Sequence, residues 1–247
     1  MKYDADLHAE IVRALQKYTE SDPLDVLRFL VEYFDQGIVF STSFGIEDQL
    51  ITHLIFENNL PVRVFTLDTG RNFQETYQTW NDTLARYQKT IEVYSPKDSA
   101  VAALLNSKGP NSFYTSVENR QECCRIRKVE PLGRALHGQS LWITGIRADQ
   151  SSNRKDMNWL EWDDAHGLFK FHPLFHWKFD QVRAFIDAHQ IPYNVLHDQG
   201  FVSIGCAPCT RAIQPGEDFR AGRWWWEASS KKECGLHFHA PSTTSQS

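Results

Sequence analysis

Cysteine is where this chain concentrates its reactive side chains: an adjacent pair, Cys123-Cys124, a spaced pair, Cys206-Ala-Pro-Cys209, and a lone Cys234. Two thiolates separated by two residues reach one metal centre, and two such pairs supply the four sulfurs of a closed site. The adjacent pair needs help from the backbone. Neighbouring side chains on an α-helix point about 100° apart, because a turn takes about 3.6 residues, so Cys123 and Cys124 share a centre only where the helix bends. Pro131, downstream in the same helical pattern, is a source for such a bend. Splayed ligands suit the separated corners of a 4Fe–4S cluster better than a single tetrahedral ion, with zinc as the alternative. Cys234 stands in Glu233-Cys234-Gly235-Leu236-His237, behind Lys231 and Lys232. Basic neighbours lower a thiol pKa and favour the thiolate, the nucleophilic form, and Gly235 gives the segment freedom to open and close. The competing reading of a lone cysteine is an inert small hydrophobe.

A second group of residues suits an anionic ligand. Ser41-Thr42-Ser43-Phe44-Gly45 precedes a helical pattern that begins with Ile46-Glu47-Asp48. Hydroxyls and free N–H groups at a helix N-terminus attract an anion, although many strand–helix turns carry Ser and Gly only as caps. No Lys follows the Gly, so this is not a Walker loop. Basic residues are scattered: Lys128, Arg147, Arg220 and Arg223. Lys128 lies four residues after Cys124, on the same helical face. Arg220 and Arg223 have the spacing of a two-pronged clamp for sulfate or phosphate. Taken singly, each is as readily a solvated surface charge.

These residues need a scaffold, and the pattern supplies an α/β one. Helical spacing covers 6–18 and 23–34. Short apolar runs at 37–40, 62–67, 91–94 and 141–146 read as strands, and amphipathic patterns follow at 46–56, through Tyr87, and at 177–189. Alternating strands and helices predict a mostly parallel sheet with helices on both faces. Such sheets bind ligands outside the carboxyl ends of their strands, where the loops 41–45, 68–71 and 145–150 fall. Residues 191–200 read as a loop with a turn, and 241–247 as a disordered tail. One domain over 1–240 is the economical division, with a nucleotide-binding core over about 37–190 and a cysteine-bearing segment over about 200–237.

Composition narrows the classes of function. A net charge of −5 disfavours a nucleic-acid-coating surface. No stretch is long and apolar enough to span a membrane. The acidic, amphipathic start lacks a signal-peptide pattern, so a cytoplasmic location is expected. An odd number of cysteines in a reducing compartment favours metal binding or catalysis over disulfides. A homo-oligomer remains open.

Taken together, Ser41-Thr-Ser-Phe-Gly-Ile-Glu-Asp48, Leu67-Asp-Thr-Gly-Arg71, Cys123-Cys-Arg-Ile-Arg-Lys128, Gly145-Ile-Arg-Ala-Asp-Gln-Ser151 and Glu233-Cys-Gly-Leu-His237 resemble the assimilatory phosphosulfate reductases, from about Gly37 to His237. The resemblance implies a fold like the adenine-nucleotide α-hydrolase group, with a C-terminal segment carrying the catalytic cysteine. It implies a 4Fe–4S cluster on Cys123, Cys124, Cys206 and Cys209. Ser41, Ser43, Phe44, Asp68, Thr69 and Arg71 would lie near the nucleotide. Lys128, Arg147, Arg220, Arg223 and His237 would surround its phosphosulfate, with Cys234 as nucleophile. The implied activity is thioredoxin-dependent reduction of adenosine 5'-phosphosulfate (APS) to sulfite and AMP through a cysteine S-sulfonate. The four cluster cysteines resemble the APS branch; the branch using 3'-phosphoadenylyl sulfate (PAPS) typically lacks them. Phe44 stands where ATP-cleaving relatives carry a second Gly, which fits binding of an already activated nucleotide. The rival readings are a PAPS reductase, a sulfur-inserting tRNA enzyme of the same fold group, and a zinc-stabilised binding module without chemistry.

Overall fold

The computed structural model describes residues 3–18, 22–150, 154 and 157–227. Cys234, His237 and the tail 241–247 lie outside the described residues. In chain order the elements are α1 (Ala5–Leu15), α2 (Pro23–Phe34), β1 (Ile38–Thr42), α3 (Ile46–Glu57), β2 (Arg63–Leu67), α4 (Gln74–Tyr87), β3 (Glu92–Tyr94), α5 (Asp98–Lys108), α6 (Val117–Cys124), α7 (Glu130–Leu136), β4 (Leu141–Ile143), β5 (Leu160–Asp163), β6 (Leu168–Phe171) and α8 (Phe179–Ala188). The strands form one sheet in the order β3-β2-β1-β4-β6-β5. All neighbours pair in parallel except β5 and β6, which pair antiparallel. No helix among the described residues is long and apolar enough to cross a membrane.

The strands are apolar on both sides because helices cover both faces. Successive side chains alternate between faces, and the core divides accordingly. Ile38 and Phe40 of β1, Val64 of β2, Leu141 and Ile143 of β4, and Phe169 and Phe171 of β6 join the larger core with α1, α2, α3 and α8. Val39, Phe65 and Trp142 point the other way, against Leu132, Ala135 and Leu136 of α7. β1 and β4 lie side by side, Phe40 opposite Ile143. The chain reverses its direction of winding there, so the loops after β1 and β4 diverge and leave a crevice at their C-terminal ends.

Two local departures from the sequence expectation matter. β4 ends at Ile143 rather than running to Ile146, so Thr144–Ile146 is loop and lines the crevice. The bend expected at Pro131 is supplied earlier, by a π-helical turn over Arg125–Val129 whose wider pattern shows in the bond from the Glu130 amide to the Arg125 carbonyl. Pro131 has no N–H to return to the helix and lies buried in the first turn of α7. The π-turn accommodates it and re-aims the cysteine pair just before it.

Candidate active site

The crevice encloses about 220 Å³, far more than the ~10–15 Å³ that one water needs. Its floor is the loop after β1. Ser43 donates from both its amide and its hydroxyl to Oδ2 of Asp48, at 2.6 and 2.7 Å. The Phe44 amide donates to Thr42 Oγ1 at 3.1 Å. Phe44 adopts φ +60°, an uncommon conformation for a bulky residue, and is held there by stacking on Trp80 at 5.4 Å. Ser41 accepts a bond from Trp142 Nε1 at 2.8 Å, which ties the end of β1 to β4.

Burial pushes the Asp48 carboxyl up to about 7, against the two bonds from Ser43, which favour the anion. The folded-state value therefore lies above that of the unfolded chain. At neutral pH, unfolding releases a proton, so this group's stabilising effect is full in acid and is lost as pH rises toward and through about 7. Asp48→Asn keeps an oxygen acceptor for Ser43 and removes the titration. It is expected to flatten the decline of stability between about pH 4 and about pH 7, read as urea midpoints of the two proteins across that range. Parallel pH profiles would count against a raised Asp48.

The loop after β2 joins the floor to the cysteines. Asp68 Oδ1 accepts from the Gly70 amide, Asn72 and Tyr77 at 2.9, 3.3 and 2.8 Å, so it shapes the loop rather than facing the cavity. Thr69 lines the cavity, and its hydroxyl meets Cys206 Sγ at 3.3 Å. Its carbonyl accepts from Arg127 Nη1 at 2.6 Å. Arg71 accepts at its carbonyl from the Ala207 amide at 2.8 Å, and its guanidinium lies 5.1 Å over the Phe113 ring.

The four cysteines converge beside this loop. Cys206 and Cys209 belong to a buried cluster with Phe113 and Trp224, and Cys123 packs against it. All four thiols are free of disulfides. Burial raises Cys123, with Cys206 adding to the rise and Arg127 opposing it. Burial, aided by Cys206 and Cys124 and opposed by Lys128, pushes Cys209 up to about 12. Burial thus favours the neutral thiol at Cys123 and Cys209, and ligation by a metal is what would remove their protons. Two thiols from a bent helix and two from a tight turn form the all-sulfur donor set that iron–sulfur clusters use. Among the described residues, no three His, Cys, Asp or Glu side chains stand together as ligands for a single metal ion.

The far wall is basic because the chain folds back on the cysteine turn. Cys209 N bonds to Cys206 O, Trp224 N to Cys209 O and Arg211 N to Gly222 O, at 2.9, 3.2 and 3.0 Å. Thr210 and Arg223 form an antiparallel bridge. This return brings Arg220 and Arg223 to the cavity, where Lys128 and Arg154 also line it. Arg223 lies against Gly205, where any β-carbon would collide with its guanidinium.

Of the residues singled out from sequence, Ser41, Ser43, Phe44, Thr69, Lys128, Arg220 and Arg223 line one cavity. Asp68 and Arg71 stand behind it. Arg147 does not line it: its side chain is 1% exposed and held by Glu47 at 2.9 Å and by Asp149. It braces the start of α3 instead. Among the lining residues that escaped the sequence reading, Arg154 and His197 carry titratable side chains. Arg154 is buried at the cavity and bonded to Gln150. His197 lines it with both ring nitrogens buried and without hydrogen-bond partners; burial holds its pKa below the usual value. The only signal for His197 was the turn His197-Asp-Gln-Gly200, in which Gly200 takes φ +83°.

Comparison with known proteins agrees with this geometry. Residues 37–212 match the family described as the phosphoadenosine phosphosulfate reductase domain. An adenosine 5'-phosphosulfate reductase of Allochromatium vinosum is 54% identical over 201 residues, 81% of this chain and 78% of that protein. One from Sinorhizobium fredii is 48% identical over 231 residues, 94% of this chain and 92% of that protein. Among solved structures, a phosphoadenylyl-sulfate (PAPS) reductase from Candida auris in its phosphate complex superposes with a TM-score of 0.71 at 29% identity, covering 86% of this chain and 99% of that one. An FMN adenylyltransferase of Candida glabrata, with FAD and pyrophosphate, shares the fold at a TM-score of 0.55 and 17% identity, over 87% of this chain and 74% of that one. With a family match over residues 37–212 and relatives at 48–54% identity over most of its length, this chain belongs to the phosphoadenosine phosphosulfate reductase family.

Proposed function

We propose that the chain reduces APS to sulfite and AMP in sulfate assimilation, with reduced thioredoxin as electron donor. One observation carries this reading. A single cavity joins a hydroxyl-bearing loop at a helix N-terminus to a wall with Lys128, Arg154, Arg220 and Arg223, a layout that suits an adenine nucleotide ending in an anionic phosphosulfate. The names of relatives at 48–54% identity support APS as the substrate. The four thiols of Cys123, Cys124, Cys206 and Cys209 fit a 4Fe–4S cluster by donor type. Bound there, the cluster would clamp α6 to the 206–209 turn and set its charge beside Lys128.

In this reading Cys234 attacks, as thiolate, the sulfur of the sulfonyl group. The sulfur–oxygen bond to the phosphate breaks, and AMP leaves with the electron pair. The enzyme then holds a cysteine S-sulfonate. Lys128 and the arginines screen the negative charge that would repel the incoming thiolate and stabilise charge on the leaving phosphate. The loop at 41–45 holds the nucleotide so that the attack is effectively unimolecular, and the resemblance assigns His237 to the phosphosulfate end of the substrate. A thioredoxin thiolate next attacks Cys234 Sγ, sulfite departs with the sulfur–sulfur electron pair, and the second thioredoxin thiol resolves the mixed disulfide. Both electrons come from thiols. The reading places the chain in the cytoplasm, without nucleic-acid or membrane partners.

Anaerobically purified protein, supplied with reduced thioredoxin and either APS or PAPS, tests this. Sulfite release with strong preference for APS is expected, from protein containing iron and acid-labile sulfide. Preference for PAPS would reassign the substrate. Zinc without sulfide, and no release from either nucleotide, would leave a binding module.

A further inference from the structure

Thr144 follows β4 directly, and its amide still bonds to the Phe171 carbonyl of β6 at 3.0 Å. The pleat therefore runs one residue past the strand, and the Thr144 side chain falls on the face that carries Trp142. Both residues are buried and line the cavity. His172 follows Phe171 and emerges on the same face. Its Nδ1 meets the Thr144 hydroxyl at 2.7 Å, and its Nε2 lies 3.4 Å from Oε2 of Glu161 on β5. The His172 side chain has no exposure to solvent. The other carboxylate oxygen of Glu161 accepts from the Asn158 amide at 3.2 Å, which helps to hold the group in place.

These three side chains form a line from the outer strand to the cavity, and one proton sets the donor roles along it. Burial, reinforced by the charges of Lys170 and Arg154, holds His172 down at about 4 in spite of Glu161. At neutral pH the ring is therefore uncharged and carries one N–H. A carboxylate can only accept, so that proton sits on Nε2 and leaves Nδ1 as an acceptor. The Thr144 hydroxyl then gives its proton to Nδ1. What its oxygen offers the cavity is a lone pair.

An acceptor here has few partners on the proposed substrate. Phosphate and sulfate oxygens are themselves acceptors. The donors are the 6-amino group of adenine and the ribose hydroxyls. We infer that Thr144 is a specificity-determining residue, held by His172 and Glu161 as an acceptor for a hydrogen-bond donor of the nucleoside. His172 and Glu161 are positioning residues and do not touch the substrate. The inference rests on the nucleotide-binding reading above.

The test pairs substitutions with nucleotides that each lack one donor. Calorimetric titrations use AMP, purine riboside 5'-monophosphate (without the 6-amino group), 2'-deoxy-AMP and 3'-deoxy-AMP. Thr144→Val keeps the shape and removes the hydroxyl. It is expected to weaken AMP about tenfold, the scale of one hydrogen bond at a buried site. Thr144→Ser is expected to restore affinity to within about twofold. One analogue is expected to bind wild type about tenfold more weakly than AMP and to lose nothing further in the valine protein, a non-additivity that names the donor. Were that analogue 3'-deoxy-AMP, the same acceptor would also disfavour a 3'-phosphate. Equal losses in the valine protein for AMP and all three analogues would mark a packing effect and overturn the inference, as would unchanged AMP affinity. Nitrogen NMR of wild type reads the ring without any variant: protonated Nε2 with bare Nδ1 is expected, and the reverse tautomer would overturn the relay. Glu161→Leu is expected to give mixed tautomers and to weaken AMP about threefold; a single unchanged tautomer would also overturn it. A wild-type protein that binds no AMP would instead sink the proposed nucleotide site.

Discussion

Cys234→Ser is expected to abolish sulfite release, by at least about 10⁴-fold, the scale seen when a covalent nucleophile is removed. Serine at neutral pH presents a hydroxyl where cysteine presents a fraction of thiolate, and a sulfonyl group bound to serine oxygen has no sulfur–sulfur bond for a thiol to cleave. The cavity and the four other cysteines are untouched by the change, so iron content and AMP affinity are expected to match wild type. This pattern separates chemistry from assembly. Measured by sulfite release and by mass of the S-sulfonate, residual turnover in the serine protein would move the nucleophile elsewhere.

Gly145→Ala is the counterpart on the nucleotide side. A β-carbon at Gly145 would collide with Oδ1 of Asp48 and come within 3.2 Å of Glu47 Cβ. Neither can step aside cheaply: Asp48 is buried and bonded twice to Ser43, and Glu47 accepts from Arg147 and Gln150 at 2.9 and 3.0 Å. The methyl group must therefore part the loop after β1 from the loop after β4. Overpacking of this kind costs about 1–3 kcal/mol of stability. A distortion that costs the ligand even about 1.4 kcal/mol weakens AMP binding about tenfold. Thermal unfolding and AMP titration read the two effects; an alanine protein with wild-type values in both would mean that the loops do not need their close approach.

The frame of the site was legible because its signals are local. Asp22 caps α2 and Pro23 opens it, and the helical pattern of α3 starts directly after Gly45. The β5–β6 hairpin was not read: buried Lys170 and part-buried Glu161 interrupt the apolar pattern of its strands. Lys170 is tolerated there because it lies 5.0 Å over the Trp142 ring, a contact across strands that no local spacing reveals. The end of β4 was misplaced for a similar reason. Leu141 to Ile146 is apolar enough to continue, but the Thr144 hydroxyl meets His172 Nδ1 at 2.7 Å, and Gly145 must admit Asp48. Arg154 lines the cavity and Arg147 does not, because charge alone does not say which arginine finds a carboxylate. Glu47, one hundred residues from Arg147 in the chain, decides that.

The sheet order also dictates when this protein can finish folding. β1 lies at the centre, yet its two neighbours are made at very different times: β2 follows it closely, whereas β4 begins only at Leu141. At about 5–20 residues per second, a ribosome spends roughly 4–15 s between them. During that interval one edge of Ile38-Val39-Phe40 is unpaired, and its larger-core side chains still lack Phe169, Phe171 and Val182. Products truncated before β6 would carry an open apolar edge of the kind that recruits other strands. The nascent chain therefore depends on being shielded until residue 171 has emerged, and the nucleotide crevice, formed where β1 meets β4, is among the last features to appear.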